Sequence, residues 1–397
     1  MGSGPSSAGE IQCGGDGLVP GRPRFLAAEG ASATEIRGSN RKVRRDRGKS
    51  DTVDAEAVLS DIVRLAVGRS NLRSMREPKE IYSAFEREIN DAIQLQEAID
   101  ELFRLRLSKP NALFVYRGAE DADFGFHSSL YRRLWWTRAT QLGRKVVDTP
   151  PPTEAQLSAA EHEILVAAHR WGLHDAERGR LSVLRQLAIL QHNHAPTRLI
   201  DVSFSLWVAL WFAVQVSWDK GKELPDTKDG RIFIIDVRGR LINELDERVW
   251  EDALRRPWLA DAGDKKNWME DWTLRTRAWS PTPQDRRIAA QQGAFLLGGV
   301  PAGRLQYAAS SRKDDWLTMR ETRGYTSVPL RFHKFDPKTG GAIAGNAVYT
   351  WKIAAKAKSA LRKRLQQISG LTTERMYPDV AGFGRFATPN LVDTFPG

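Results

Sequence analysis

Cysteine is almost missing from this chain: Cys13 is the single one in 397 residues. That excludes an internal disulfide and a cysteine-based metal cage within one chain. Long apolar runs are missing too. The longest, Phe204 to Val216, is interrupted by Ser205 and Gln215 and falls short of the roughly 20 residues that a membrane-spanning helix needs. The first residues lack the charged start and apolar core of a secretory signal, so the expected compartment is the cytoplasm. The usual phosphate-binding glycine patterns are also wanting. "RGKS" ends like a P-loop, but Val43 stands where its first glycine belongs, and no dinucleotide fingerprint follows a strand. There is no G-x-S-x-G, so Ser203 lacks the setting of a hydrolase nucleophile. His162 and His169 are seven apart and His192 and His194 two apart; neither spacing is a recognised ligand frame, and no metal is expected. Acidic charge is in deficit, with 60 Lys and Arg against 49 Asp and Glu, a formal charge of +11. The excess favours anionic partners such as nucleic acid or phosphates.

What is present divides into three stretches. Residues 1–50 are rich in Gly, Ser, Pro and Ala and carry Arg37, Arg41, Lys42, Arg44, Arg45, Arg47 and Lys49; they read as a disordered basic arm. Residues 51–107 read as a helical segment. Asp51, Asp54 and Glu56 fall in a first helical turn, where the helix dipole favours acids. The apolar stripe from Val53 to Ala66 predicts one helix, and the spacing from Pro78 to Leu107 predicts a second, with Phe85, Ile89, Ile93 and Phe103 on its buried side. Residues 108–397 alternate irregularly between helices and strands. "ALFVYRG" and "GRIFIIDVRGR" read as strands, "RIAAQQGAFLLGG" as a turn and strand, and Trp351 to Gln367 as a basic helix. Such mixing predicts an α+β fold with a small central sheet.

The stretch "LAILQHNHAPTRLIDVSFSLWVALWFAV" raises a specific question. Gln191, His192, Asn193, His194, Thr197, Arg198 and Asp201 stand between two segments that both read as core. Turn geometry alone calls for Gly, Asn, Asp or Ser rather than this mixture, so the cluster reads as a pocket wall. Arg117, closing an apolar strand, fits the same pocket, since a charge there is otherwise awkward. Asp201 has two structural readings besides a chemical one: a cap for the helix starting near Phe204, or an ion pair with Arg198. The aromatics of "LWVALWF" have helical spacing and read as core.

The blocks "FVYRG", "FHSSLYRRL", "LAILQHNHAPTRLIDVSFSLWVALWFA", "RRIAAQQGAFLL" and "MYPDVAGFGRF" resemble, in order, those of the FRG-domain family, from about Phe114 to Phe386. The family often has a glycine and a tryptophan in the middle block, where this chain has His194 and Val202. The block order is also similar to ADP-ribosyltransferase folds, which implies NAD as a substrate. On that resemblance Arg117 would meet the pyrophosphate, Ser203 the nicotinamide ribose, and Tyr116 or Trp207 a ring, with Gly118 in the same cofactor-binding group. Catalysis would fall to Arg117, Gln191, His192, Arg198, Asp201, Ser203 and Gln291. The positions expected to hold a carboxylate carry Gln291 and Gln292, and Asp201 is the substitute. Three functions stay open: an NAD-consuming or ADP-ribosyl-transferring effector of toxin or phage-defence type, a non-catalytic module binding anions or nucleic acid, and a purely structural polar block. Nucleic acid would be held through Arg37 to Lys49 and through Lys352, Lys356, Lys358, Arg362, Lys363 and Arg364.

Overall fold

The run "GRIFIID" is apolar at nearly every position because both of its faces are covered, a pattern that a half-exposed strand would not tolerate. In a computed structural model of the chain, described over residues 77–108, 111–173, 175–176, 179–216, 218–219, 222–242, 276–281, 286–301, 317–334 and 347–384, it forms a central strand buried along its whole length. The arm at Arg37 to Lys49 and the helix expected over 52–67 lie outside the described residues. Residues 71–397 cluster as one unit.

The elements of the sheet and its flanks are, in chain order, α1 (Pro78–Tyr82), β1 (Glu86–Ile89), α2 (Ala92–Ser108), β2 (Phe114–Ala119), α3 (Ser129–Gln141), α4 (Glu154–Arg170), α5 (Val183–His192), β3 (Ile200–Ser203) and α6 (Leu206–Ala213). They continue with β4 (Gly230–Asp236), β5 (Leu241–Ile242), β6 (Arg277–Trp279), α7 (Arg286–Ala290), β7 (Gly293–Leu297), α8 (Met319–Tyr325), β8 (Arg331–Phe332), β9 (Ala347–Ile353) and α9 (Ala355–Ser369). The strands form one mixed sheet in the order β1-β9-β4-β2-β3-β7-β6-β5, with β8 also paired to β9. The fold is α+β as expected, and among the described residues its sheet has nine strands, more than the small sheet expected. The excess comes from strands of two to four residues, too short to leave a period-2 signal.

Alternation along β4 divides the core. Ile232 and Ile234 join Tyr116, Tyr349 and Trp351 on one face, under α2, α6 and α9. Phe233 and Ile235 join Val115, Ile200 and Val202 on the other, with Tyr82, Phe126 and Tyr325. A third cluster packs α4 and α5 against Leu199, Phe295 and Leu297 at the β3–β7 end. Among the described residues no helix is long and apolar enough to cross a membrane.

Residues 77–108 correct the second expected helix. It is broken: β1 pairs in parallel with β9, from Glu86 opposite Thr350 to Ile89 opposite Ile353. Glu86 pairs with the buried Arg231 at 2.8 Å, whose guanidinium also lies over the Tyr82 ring at 4.6 Å. A buried ion pair and a strand partner override the helical spacing of this stretch, since propensity is a weak prior against tertiary contacts. Ile93 and Phe103, expected to be buried, are 72% and 61% exposed.

The expected basic helix is corrected as well. Lys352 lies in β9 and pairs with Glu86 and Glu88. Lys358 is buried and donates to the Glu120 carbonyl at 2.6 Å. Arg362 makes a two-point pair with Asp226 at 2.9 and 2.5 Å. Only Lys356, Lys363 and Arg364 of the six stand exposed.

Candidate functional site

The site begins with a gap between two strands. β2 pairs with β4 along its full length, from Phe114 opposite Asp236 to Ala119 opposite Arg231. With β3 its register is held at a single pair, Tyr116 opposite Ser203. Past that point a side chain takes the place of a ladder bond: Arg117 Nη1 donates to the Asp201 carbonyl at 2.6 Å. The guanidinium also lies 5.7 Å from the centre of the Phe126 ring. Burial holds Arg117 below its ordinary value, Asp201 opposes that shift and Arg132 adds to it.

Glycine at 118 lets a helix cover this opening. A Cβ there would collide with the Ala209 carbonyl oxygen, and one at Gly230 with that of Ala213. The two glycines thus let α6 lie directly on β2 and β4, a close approach that no other residue allows. α6 starts at Ser205, whose hydroxyl accepts from the Val208 N–H. The cap is therefore Ser205 and not Asp201, which leaves the carboxylate of Asp201 uncommitted to the helix.

Between these elements lies a cavity of about 400 Å³, within the ~300–1,000 Å³ range of small-molecule sites. Tyr116, Arg117, Gly118, Asp201 and Ser203 line it from the sheet, Val208, Ala209 and Phe212 from α6, and Gln191 and His192 from the end of α5. Arg287 from α7 and Gln291 from the turn after it close it, together with Tyr377. Burial pushes the Tyr116 hydroxyl above its usual range. Six of the seven residues expected to act chemically thus converge.

Each has a definite bonding state. Asp201 is exposed on its strand, and its Oδ1 accepts from Gln191 Nε2 at 2.7 Å. The same amide accepts, through its oxygen, from the hydroxyl of the fully buried Thr197. Since Thr197 Oγ already accepts from the Leu199 N–H, its proton is left for Gln191, and the Gln191 NH₂ must face Asp201. Ser203 Oγ donates to the Gln291 carbonyl at 2.7 Å and accepts from the Ser205 N–H at 2.9 Å; it ties β3 to the turn after α7 at the cavity wall. Gln291 Nε2 donates to the Met376 carbonyl at 3.0 Å. Its amide is held against the segment before Tyr377, at the wall of the cavity. His192 ends α5, and His194, at φ 64°, takes the left-handed conformation that glycine favours. The glycine common at that position in the family now has a backbone reason.

Two expectations fail. Arg198 points away from the cavity into the opposite side of the hinge. It is 1% exposed, donates from Nε to Glu161 at 2.5 Å and from Nη1 to Glu154 at 3.1 Å, and reaches Ser158 at 3.2 Å. Its ion pairs are with Glu161 and Glu154 rather than with Asp201. Trp207, offered as a stacking ring, faces a separate apolar groove between α2, α6 and α9. Reasoning from sequence also passed over Arg287, whose guanidinium lies 4.5 Å from the centre of the Tyr377 ring. Its one signal was the spacing of four to Gln291 on a helix, which sets both on one face.

The middle of this architecture, residues 112–222, matches the family model of the FRG domain. The chain carries an FRG domain. The match takes in Arg117, Gln191 and Asp201 but ends before Arg287, Gln291 and Tyr377, which complete the FRG cavity through the fold. No curated protein and no solved structure matches the chain.

Proposed function

We propose that the cavity of this FRG domain binds NAD, or a ligand built like ADP-ribose, and cleaves or transfers at the nicotinamide ribose. The observation that carries this reading is the convergence of an open carboxylate, Asp201, with two guanidinium groups, Arg117 and Arg287, on one aromatic-walled cavity. Guanidinium groups suit phosphate oxygens bidentately. A fixed carboxylate suits positive charge developing at C1′, because a preorganised charge in a partly dehydrated site requires no reorganisation in the transition state. The Gln191 amide holds Asp201 in one orientation. In the step itself the bond from C1′ to the pyridinium nitrogen breaks, nicotinamide leaves with the electron pair, and water or a target nucleophile adds to C1′ and loses a proton to solvent. An effector of toxin or phage-defence type is the setting in which such consumption of NAD would serve.

Nicotinamide release tests it. Wild-type protein should release nicotinamide from NAD, and Asp201→Asn should lower the rate by about 10²-fold or more with its melting temperature within a degree or two. No release or transfer across water, protein, DNA and RNA acceptors would count against the reaction. A second reading, a binding module for phosphates or nucleic acid ends, draws on the excess of cations at the cavity and on the exposed Lys356, Lys363 and Arg364. It predicts binding without turnover, weakening steeply with salt.

A further inference from the structure

We propose that the wall of the cavity formed by α6, α7 and Tyr377 takes the purine base of a nucleotide ligand. The inference deepens the ligand-binding part of the reading above and rests on it, without depending on any reaction. Phe212 and Tyr377, both half-buried, meet edge to face with ring centroids 6.4 Å apart and planes at 89°. The Arg287 guanidinium lies 4.5 Å from the centre of the Tyr377 ring. All three line the cavity, as do Val208 and Ile288. The fold fixes this wall before any ligand arrives. Phe212 comes down onto β2 because position 118 is glycine, where a Cβ would stand 2.8 Å from the Phe212 Cβ. The Tyr377 N–H donates to the Thr373 carbonyl at 2.9 Å, and the ring packs on Trp211 at 5.9 Å. Gly382 closes on it from the other direction, with room for no Cβ, since one would stand 2.5 Å from the Tyr377 Cβ. Met376, the preceding residue, is fully buried and its carbonyl accepts from the Gln291 amide.

A flat, electron-rich wall suits a planar heterocycle, since every base has a π-face that stacks on aromatic rings and on guanidinium planes. A sugar or a phosphate placed there would be taken out of water against Val208, Phe212 and Ile288, whose side chains offer no hydrogen bond in return. Charge decides which ring of a dinucleotide the wall takes. A ligand built like NAD carries a neutral purine and a cationic pyridinium. The guanidinium of Arg287 disfavours a second cation at Tyr377, whereas the carboxylate of Asp201 on the same cavity attracts one. The purine therefore belongs with Tyr377 and Arg287, and the charged ring with Asp201. A guanidinium that stacks keeps its in-plane N–H donors for phosphate oxygens, so Arg287 serves base and diphosphate together. Rings held in place beforehand also reduce the ordering that opposes binding.

Titration calorimetry of the full chain with ADP-ribose, and separately with ribose 5-diphosphate, which lacks the base, decides the matter. Wild type should bind both, ADP-ribose the more tightly. Tyr377→Leu should weaken ADP-ribose by about 5- to 100-fold, the scale of one base–aromatic stack, and leave ribose 5-diphosphate where it was. Tyr377→Phe, which keeps the ring, should recover most of the loss. A 2-aminopurine analogue of ADP-ribose should lose fluorescence on binding to wild type, which reads the stack without any substitution. An equal loss for the two ligands in Tyr377→Leu would mean that Tyr377 only holds Arg287 in place. That result, an undiminished ADP-ribose affinity, or an unquenched analogue would overturn the base subsite and leave the cavity reading standing. Failure of wild type to bind ADP-ribose would overturn both.

Discussion

Arg117, on β2, and Arg198, just before β3, lie on different elements beside the same sheet, and their surroundings are opposite. Arg198 is enclosed by Glu161, Glu154 and Ser158, so its charge is spent inside the fold. Arg117 gives one N–H to a backbone carbonyl and faces a cavity with its remaining donors. Residue type and distance along the chain say nothing about this difference. It is decided by placement: the hinge turns Arg198 toward Glu161 and Glu154, whereas β2 sets Arg117 at the opening beside Asp201, and a charge already neutralised by the protein is a poor candidate for meeting a ligand.

Substitutions can break that contrast. The largest effect is expected from Arg198→Ala, which removes the Arg198 guanidinium from the fully buried Glu161; a loss of about 3–5 kcal/mol in denaturant unfolding is the usual scale for breaking a buried pair. A loss below about 1 kcal/mol would mean that the pair is not closed in solution. Next comes Gly118→Ala, where the added methyl meets the Ala209 carbonyl and pushes α6 off the sheet, at a cost of about 1–3 kcal/mol or more. Both unfolding midpoint and ligand affinity should fall together, unlike Arg117→Ala, in which affinity falls much further than stability.

Acid sharpens the comparison with a third buried group. His127, stacked on Tyr131 and with Nε2 3.1 Å from the Arg323 carbonyl, is pushed by burial down to about 3 from its ordinary 6.5. Its folded value lies below its unfolded one, so the neutral ring is favoured by folding. The stability it supports is complete above about pH 6.5 and is lost as pH falls toward 3, by roughly 1.4 kcal/mol per unit across that window. Unfolding followed from pH 7 to 4 should show this slope, and His127→Phe should flatten it. The smallest effect is expected at the loop: His194→Gly relieves a left-handed residue and should change stability by no more than about 1 kcal/mol, in the stabilising direction.

The sequence made the site more legible than the fold around it. Arg117, Gln191 and Asp201 could be grouped because polar side chains that turn geometry does not require were crowded between apolar segments. Arg198 could not be separated from them, since three residues of hinge reverse a side chain without leaving a trace in composition. Trp207 shows the same limit: helical spacing marks which residues share a face, and the contacts of α2 and α9 decide where that face looks. Arg287 and Tyr377 stood in quoted blocks but could not be assigned to the site, because the antiparallel return of β7 onto β3, Phe295 opposite Asp201, brings up Arg287 and packing on Trp211 and Phe212 brings up Tyr377. The helix expected at Glu86 failed for a related reason, its strand partner lying more than 250 residues away.

The most direct test is a crystal structure of the protein with ADP-ribose at saturating concentration. The diphosphate should lie against Arg117 and the terminal ribose beside Asp201, in the opening between β2 and β3. Ligand density at another place on the molecule, or an empty opening in crystals where the cavity is reachable by solvent, would contradict it.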